Sequence, residues 1–304
     1  MASGLACFKM TSLAEKYSHR SYHRQHALEA LLLHPQEFAA IEADLGALRG
    51  SAYQQVSPLH PGSTDLDHRD PHYWHLLIWD HNSNSLAGAQ RLRFSRLNRT
   101  ASSSSASYLE HCYPGIDKAL NNAGHSYIEL GRVFVSPEHQ QEMRILPALI
   151  RSTVMLMQDT NHNWTFGMLS YNHLGQNRDS VYRFLNRIQA NPFNIELPIV
   201  RPRHSFNDQD ISICEDILKR DLSCSSYRAL EKSIQHEDKD FKAPRLAALY
   251  DYVCKSKVAG ISVAKDFNQI VEILLAGSLS LTPNRLLQHQ GVQLKRRAVY
   301  DPIP

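Results

Sequence analysis

The chain has 304 residues, 42% hydrophobic and 21% charged, an ordinary balance that excludes collagen-like, coiled-coil and globally disordered proteins. A net charge of +3 is too small to mark a nucleic-acid-binding domain, so no nucleic-acid partner is expected. The longest apolar stretches, such as Ile270–Ala276, fall far short of the roughly 18–20 residues that cross a bilayer. Met1–Met10 lacks the parts of a secretory signal, and the five scattered cysteines form no Cys-x-x-Cys, so a cytoplasmic protein with reduced thiols is expected.

In chain order, Ala14–Leu48 reads as helical, with Ala27, Leu28, Leu31 and Leu32 at helical spacing, a break at Pro35 and resumption from Glu37. Gly50–Thr64 reads as loop. Tyr73–Asp80 is a buried-strand pattern, residues 81–85 a turn and Leu86–Phe94 the returning strand of an antiparallel hairpin. Ser102–Ser105 reads as loop and Tyr108–Asn122 as helix. Ser126–Val135 reads as a central strand stopped by Ser136-Pro137-Glu138, then Ile145–Met157 as a buried helix. Trp164–Leu169 is a strand, Asp179–Ile188 a helix and Asn194–Val200 a strand. Asp208–Asp240, rich in charge and serine, reads as a helical insertion or surface appendage. Pro244–Cys254 is an amphipathic helix, Gln269–Leu275 a late strand, Pro283–His289 a short helix, and Lys295-Arg296-Arg297 part of an exposed tail. The order implies one α/β domain, a mixed sheet covered by helices.

Seventeen histidines raise the question of a metal. His72 and His75 lie beside Asp67 and Asp70, and His19, His23 and His26 have spacings that would share a helix face. No His-Glu-x-x-His or Cys/His finger pattern is present, so no metal is expected. There is no Gly-x-Ser-x-Gly elbow, Gly-x-Gly-x-x-Gly or phosphate-loop motif either. What remains is charge set against apolar strands: Asp65, Asp67 and Asp70 before the first hairpin strand, Arg91 within the second, and Glu129 and Arg132 in the central strand. Ionised groups are rarely buried unless paired. The set therefore reads either as structural ion pairs or as a cleft that binds a zwitterion and moves a proton.

The segments Asp67-His68-Arg69-Asp70, His75-Leu76-Leu77-Ile78, Gly88-Ala89-Gln90-Arg91-Leu92, Glu129-Leu130-Gly131-Arg132-Val133-Phe134-Val135 and Phe166-Gly167-Met168-Leu169-Ser170 occur in that order. With Pro244–Tyr250, Asp266-Phe267 and the strand to Leu275, the series resembles the acyl-carrier-protein-dependent branch of the GNAT-fold N-acyltransferases. That branch contains N-acyl amino acid synthases, ornithine lipid N-acyltransferases and acyl-homoserine lactone synthases. The resemblance implies a single GNAT-like domain over about residues 10–290, with a mixed, mostly antiparallel sheet and helices on both faces. Two splayed parallel strands, Tyr127–Val135 and Trp164–Leu169, would admit the donor. A helical insertion at about 205–243 and a basic tail at 291–304 complete the expectation.

The resemblance also implies a reaction: transfer of a long-chain acyl group, 3-hydroxy chains included, from acyl-carrier-protein thioester to an amino acid's α-amine. No permanently bound cofactor is implied; the co-substrate is acyl-phosphopantetheine. Val133, Phe134 and Val135 would pair with the pantetheine amides, Gly167 and Ser170 would line its path, and Arg144 would meet its phosphate. The stretch His139–Leu146 lacks the glycines that cradle a coenzyme A pyrophosphate, which favours the carrier protein over coenzyme A as donor. Glu129, acting through water, is the first candidate base and His75 the second. Arg132 would fork a substrate carboxylate or organise the aspartates, Asp67, Asp70 and Arg91 would bind substrate, and by the resemblance these four and Glu129 would form one charged cluster where donor and acceptor meet. Phe134, Leu146, Leu149, Met155 and Met157 are candidates for an acyl slot. Acyl-carrier protein, the amino acid and a peripheral membrane contact through Arg201, Arg203 and the basic tail are the expected partners. The alternatives are a non-catalytic carrier-binding GNAT domain and lactone synthesis from S-adenosylmethionine.

Overall fold

The computed structural model describes residues 17–54, 64–95, 107–171, 173, 175–198, 200–206, 215–265 and 269–287. The expectations for Met1–Met10, Ser102–Ser105, Asp266-Phe267 and the basic tail lie outside the described residues. In chain order the elements are β1 (Ser21–Gln25), β2 (Leu28–Leu33), α1 (Glu42–Tyr53), β3 (Trp74–Asp80), β4 (Ser85–Phe94), α2 (Tyr108–Cys112), α3 (Ile116–Asn122) and β5 (Tyr127–Val135). There follow α4 (Ile145–Asp159), β6 (Trp164–Tyr171), α5 (Arg178–Ile188), α6 (Glu215–Leu222), α7 (Tyr227–Gln235), α8 (Arg245–Cys254), β7 (Lys257–Ala264), β8 (Ile270–Ser278) and α9 (Asn284–Leu287). The strands form one mixed, mostly antiparallel sheet in the order β1-β2-β3-β4-β5-β6-β8-β7. The α/β class is as the element order implies.

The chain divides by internal packing into two compact units. The first takes residues 1–94, 130–161 and 285–304, and the second residues 95–129 and 162–284, so β5 contributes Tyr127–Glu129 to one and Leu130–Val135 to the other.

In the first unit β1 to β4 are joined as successive antiparallel pairs, with Trp74 opposite Leu92 and His75 opposite Arg91. The helical reading of residues 17–33 is corrected here: a 3-10 turn leads into the β1–β2 hairpin. Every residue of β2 is buried. A short continuous apolar run can be a buried strand or a buried helix segment, and only its pairing with β3 decides. His19, His23 and His26 consequently share no helix face. Residues Pro35–Ala40 form a 3-10 helix, and α1 starts only at Glu42. The core of this unit joins Leu31, Leu33, Phe38, Leu45, Trp79 and Phe134.

In the second unit β6, β8 and β7 pair antiparallel. Strand β7 has no counterpart in the sequence reading, although Val258, Ile261 and Val263 hint at it, because Gly260 and a register irregularity blur the alternation. The expected strand at Asn194–Val200 reduces to one bridge, Asn194 with Val258, in a stretch that contains Pro198. The Tyr108–Asn122 helix is two helices, α2 and α3, parted at Gly115, whose φ of 90° is left-handed. The stretch read as an insertion or surface appendage holds α6 and α7. Tyr227, Leu230 and Ile234 are buried in a core shared with Phe184, Phe193 and Phe241, so the stretch is part of that unit's interior.

Candidate functional site

The three aspartates ahead of β3 meet three arginines in the first unit. Residues 67–70 form a turn closed by side chains: the Asp67 N–H donates to the Asp70 carboxylate at 2.9 Å, and the Asp67 carboxylate accepts from the Arg69 N–H at 2.9 Å. Pro71 then fixes a short 3-10 helix that delivers the chain into β3. This turn aims both carboxylates at the guanidinium groups of α1, β4 and β5.

The ion pairs close on themselves. Arg49 of α1 binds Asp70 at 2.6 Å and Asp65 at 2.9 Å. Arg132 of β5 binds Asp65 at 3.0 Å and Asp67 at 3.1 Å. Arg91 of β4 binds Asp67 at 2.8 Å and Asp70 at 3.0 Å. Charges thus alternate around a six-membered ring with no net charge. Arg49 and Asp70 are fully buried, while the Arg132 side chain keeps 29% of its exposure, so the ring opens to solvent at Arg132. Asp67 would be raised by burial, but Arg91 and Arg132 beside it hold its carboxyl well below the usual range. Burial likewise opposes Asp70's ionisation, and Arg49 and Arg91 override it.

Local backbone supports the ring. A Cβ on Gly131 would lie 3.0 Å from Arg91 Nε, so glycine makes room for that side chain. Arg132 itself has φ of 52°, an uncommon conformation for a non-glycine residue that surrounding contacts must maintain. Arg91 also lies over the Tyr73 ring at 4.6 Å. The Tyr53 hydroxyl donates to the Val133 carbonyl at 2.9 Å, and burial pushes that phenol up to about 12.

His75 sits inside this unit, 1% exposed, stacked on Phe38 at 4.8 Å between ring centres. Its Nε2 lies 3.0 Å from the Asp70 carbonyl, which only accepts, so Nε2 carries a proton and donates it. Burial lowers this histidine to about 4, which keeps it neutral near pH 7 and suits an anchor for the aspartate turn better than a proton acceptor.

Glu129 belongs to the second unit. Its carboxylate accepts from the Ser107 hydroxyl at 2.8 Å and from the backbone N–H groups of Tyr108 and Leu109, each at 2.9 Å, capping α2. A second buried carboxylate in that unit, Glu272 of β8, accepts from the Tyr108 hydroxyl at 2.8 Å, and the Cys112 thiol lies 3.7 Å away. Burial pushes the Cys112 thiol up, which makes it a poor nucleophile.

The remaining named residues are placed as follows. On β5, Val133 and Val135 are half-buried and Phe134 buried. Gly167 of β6 is half-buried opposite Leu275, and Ser170 is exposed opposite Glu272. Arg144, just before α4, is engaged by Asp80 at 2.8 Å and Glu142 at 2.6 Å, so a phosphate there competes with two carboxylates. Leu149, Met155 and Met157 are buried on α4, and Leu146 is half-buried. Sequence reasoning missed Arg49, which looks like an ordinary helix-surface charge, and Glu272, although a lone acid in an apolar run carries the same signal that singled out Glu129.

Residues 48–149, which contain the whole aspartate–arginine ring, match the family described as an acetyltransferase (GNAT) domain, over less than half of the chain. No curated protein matches the chain. Among solved structures it is similar to the acyl-homoserine lactone synthase LasI, with 12% identity over 49% of this chain and 73% of that one and a TM-score of 0.32. It is similar to FeeM, an N-acyl amino acid synthase from uncultured soil microbes, with 12% identity over 52% of this chain and 77% of that one and a TM-score of 0.32. It is also similar to the loading GNATL domain of CurA from Lyngbya majuscula, with 10% identity over 83% of this chain and 98% of that one and a TM-score of 0.39.

Proposed function

We propose that this chain is an N-acyltransferase that moves a long-chain acyl group, 3-hydroxy chains included, from acyl-carrier-protein thioester to the α-amine of an amino acid. The product is an N-acyl amino acid or lyso-aminolipid. The observation that carries the reading is the charge-balanced aspartate–arginine ring, lying wholly within the GNAT-matching stretch and open at Arg132. A zwitterionic acceptor suits this edge. Its carboxylate exchanges with Asp65 or Asp67 on the Arg132 fork, and its ammonium group faces the carboxylates that are released. In the transfer the amine nitrogen bonds to the thioester carbon, the carbon–sulfur bond breaks, and the thiol leaves. The amine must first lose a proton, and Glu129, acting through water, is the base in this reading. The backbone of Val133–Val135 offers amide groups to the pantetheine arm, with Gly167 and Ser170 of β6 on its expected path.

The test incubates purified full-length protein with long-chain acyl-carrier protein or acyl-coenzyme A and a panel of amino acids. The expected result is amide product by mass spectrometry with matching thiol release from the carrier-protein donor. No amide with either donor overturns the reading. Glu129→Gln is expected to lower turnover by about 100-fold or more, the usual scale for a positioned base. It also turns an amide N–H toward the α2 donors, at a cost of about 1–3 kcal/mol, so a thermal melt must accompany the assay. Full activity in Glu129→Gln removes Glu129 as the base.

One observation favours a second reading, a non-catalytic GNAT domain that binds acyl-carrier protein. The ring closes on itself and each of its charges is already paired. That reading predicts carrier binding without thiol release.

A further inference from the structure

The second cluster of titratable side chains in the first unit surrounds the start of α4, and the acyl-transfer reading uses none of it except Arg144. Asp80 ends β3, His139 lies in the 3-10 turn Pro137–His139, and Glu142 precedes α4. One donor atom from each of the three lies within 4.8 Å of the others. Asp80 and His139 are buried and Glu142 is half-buried.

The donor atoms are aimed by contacts on their far sides. The Asn82 N–H holds Asp80 Oδ1 at 3.0 Å, which leaves Oδ2 facing the cluster. The Ser85 hydroxyl holds His139 Nε2 at 3.0 Å, which turns Nδ1 inward to 2.7 Å from Glu142 Oε1. The Glu142 carboxylate only accepts, so without a metal Nδ1 carries the proton and donates it; a metal ion takes the place of that proton, and the tautomer in which Nε2 donates to Ser85 then gives the ring the outer partner that metal-bound histidines ordinarily have. The electrostatics point the same way. Two carboxylates face one guanidinium, that of Arg144, which bridges Asp80 Oδ2 and Glu142 Oε2 at 2.8 and 2.6 Å. A single cation leaves this pair of carboxylates under-neutralised, whereas a divalent ion matches their charge. The Arg144 side chain is 43% exposed, so solvent already reaches it.

We propose that Asp80, His139 and Glu142 form a binding site for a divalent transition-metal ion, with Arg144 as the internal cation that the metal displaces. One imidazole nitrogen with two carboxylate oxygens suits Zn2+ or Mn2+ better than Mg2+ or Ca2+, which prefer oxygen alone. Three protein donors leave the remaining coordination positions to water or an anionic oxygen.

The test is titration of the full-length protein with Zn2+, Mn2+ or Mg2+ alone by calorimetry, and with Co2+ by visible absorption, without any acyl substrate. Binding of one transition-metal ion, with Mg2+ far weaker, is expected. His139→Ala is expected to abolish it, with the fold verified by circular dichroism. Arg144→Gln is expected to tighten it about tenfold, the size that follows when two half-exposed ion pairs need not be broken. A metal acting elsewhere on the surface, through other histidines, is insensitive to both substitutions. No Zn2+, Mn2+ or Co2+ binding by the wild type, unchanged binding in His139→Ala, or weaker binding in Arg144→Gln overturns the proposal. Because the readout is metal uptake, its outcome is independent of whether acyl transfer is observed.

Discussion

Single side chains in this protein carry consequences set by their partners. Asp70 accepts from both Arg49 Nη groups, from Arg91 and from the Asp67 N–H. Asp70→Asn leaves two buried guanidinium groups short of a counter-charge and is expected to cost about 3–5 kcal/mol, read by urea denaturation. His75 supplies a pH signature. Its folded-state value is about 4 against an ordinary 6.5, so below pH 6.5 the unfolded chain takes up a proton that the folded chain refuses. Its contribution is fully present above pH 6.5 and is lost as pH falls toward 4, roughly 3 kcal/mol in all. His75→Gln keeps an N–H for the Asp70 carbonyl but does not titrate, and it is expected to flatten the stability curve between pH 6.5 and 4. An unchanged slope in that window refutes the assignment. Asp67 and Asp70 are depressed instead, so their contribution is present above the ordinary carboxylate value and fades only in more acid solution.

At the scale of elements, the helices after β6 are held by a buried clamp. Arg183 of α5 makes two bonds to Asp221 of α6, at 2.7 and 2.9 Å, and Arg187 donates to the Asp221 carbonyl at 2.9 Å. Asp221→Ala leaves the buried Arg183 with Glu237, at 3.0 Å and partly exposed, as its remaining counter-charge, and is expected to cost about 2–3 kcal/mol. Hydrogen exchange is expected to quicken across α6 and α7 first, and uniform quickening over the whole chain contradicts the clamp. Elements with a second signal beside their apolar residues were readable: the β3–β4 hairpin with its aromatic residues and polar turn at 81–85, the helix from Ile145, the strand from Trp164 and the helix ending at Ile188 all stand where the pattern puts them. Strand β2 was not, because a run buried on both faces has no period, and β7 was not, because Gly260 interrupts its alternation. The charge-rich stretch around α6 and α7 looked solvated, yet its few apolar residues, Leu230 and Ile234 among them, fall on one buried stripe.

For the molecule as a whole, each of the two units has its own apolar core, with the aspartate–arginine ring in one and the capped Glu129 in the other. None of the described helices is long and apolar enough to cross a membrane. A GNAT match confined to residues 48–149 supports the reading through the stretch that holds the ring.

By itself the sequence determined that charge sits against apolar strands at Asp65, Asp67, Asp70, Arg91, Glu129 and Arg132, because residue types and strand periods are local properties. Which charge pairs with which was decided only by the tertiary structure. Ion pairs form across residues far apart in the chain, so Arg49 joined the ring from α1, Glu129 went to the start of α2, and His75 became a buried donor to Asp70. The same holds for Asp80, His139 and Glu142, whose spacing in the sequence carries no metal motif and whose donor atoms converge only once β3 and the turn before α4 are folded.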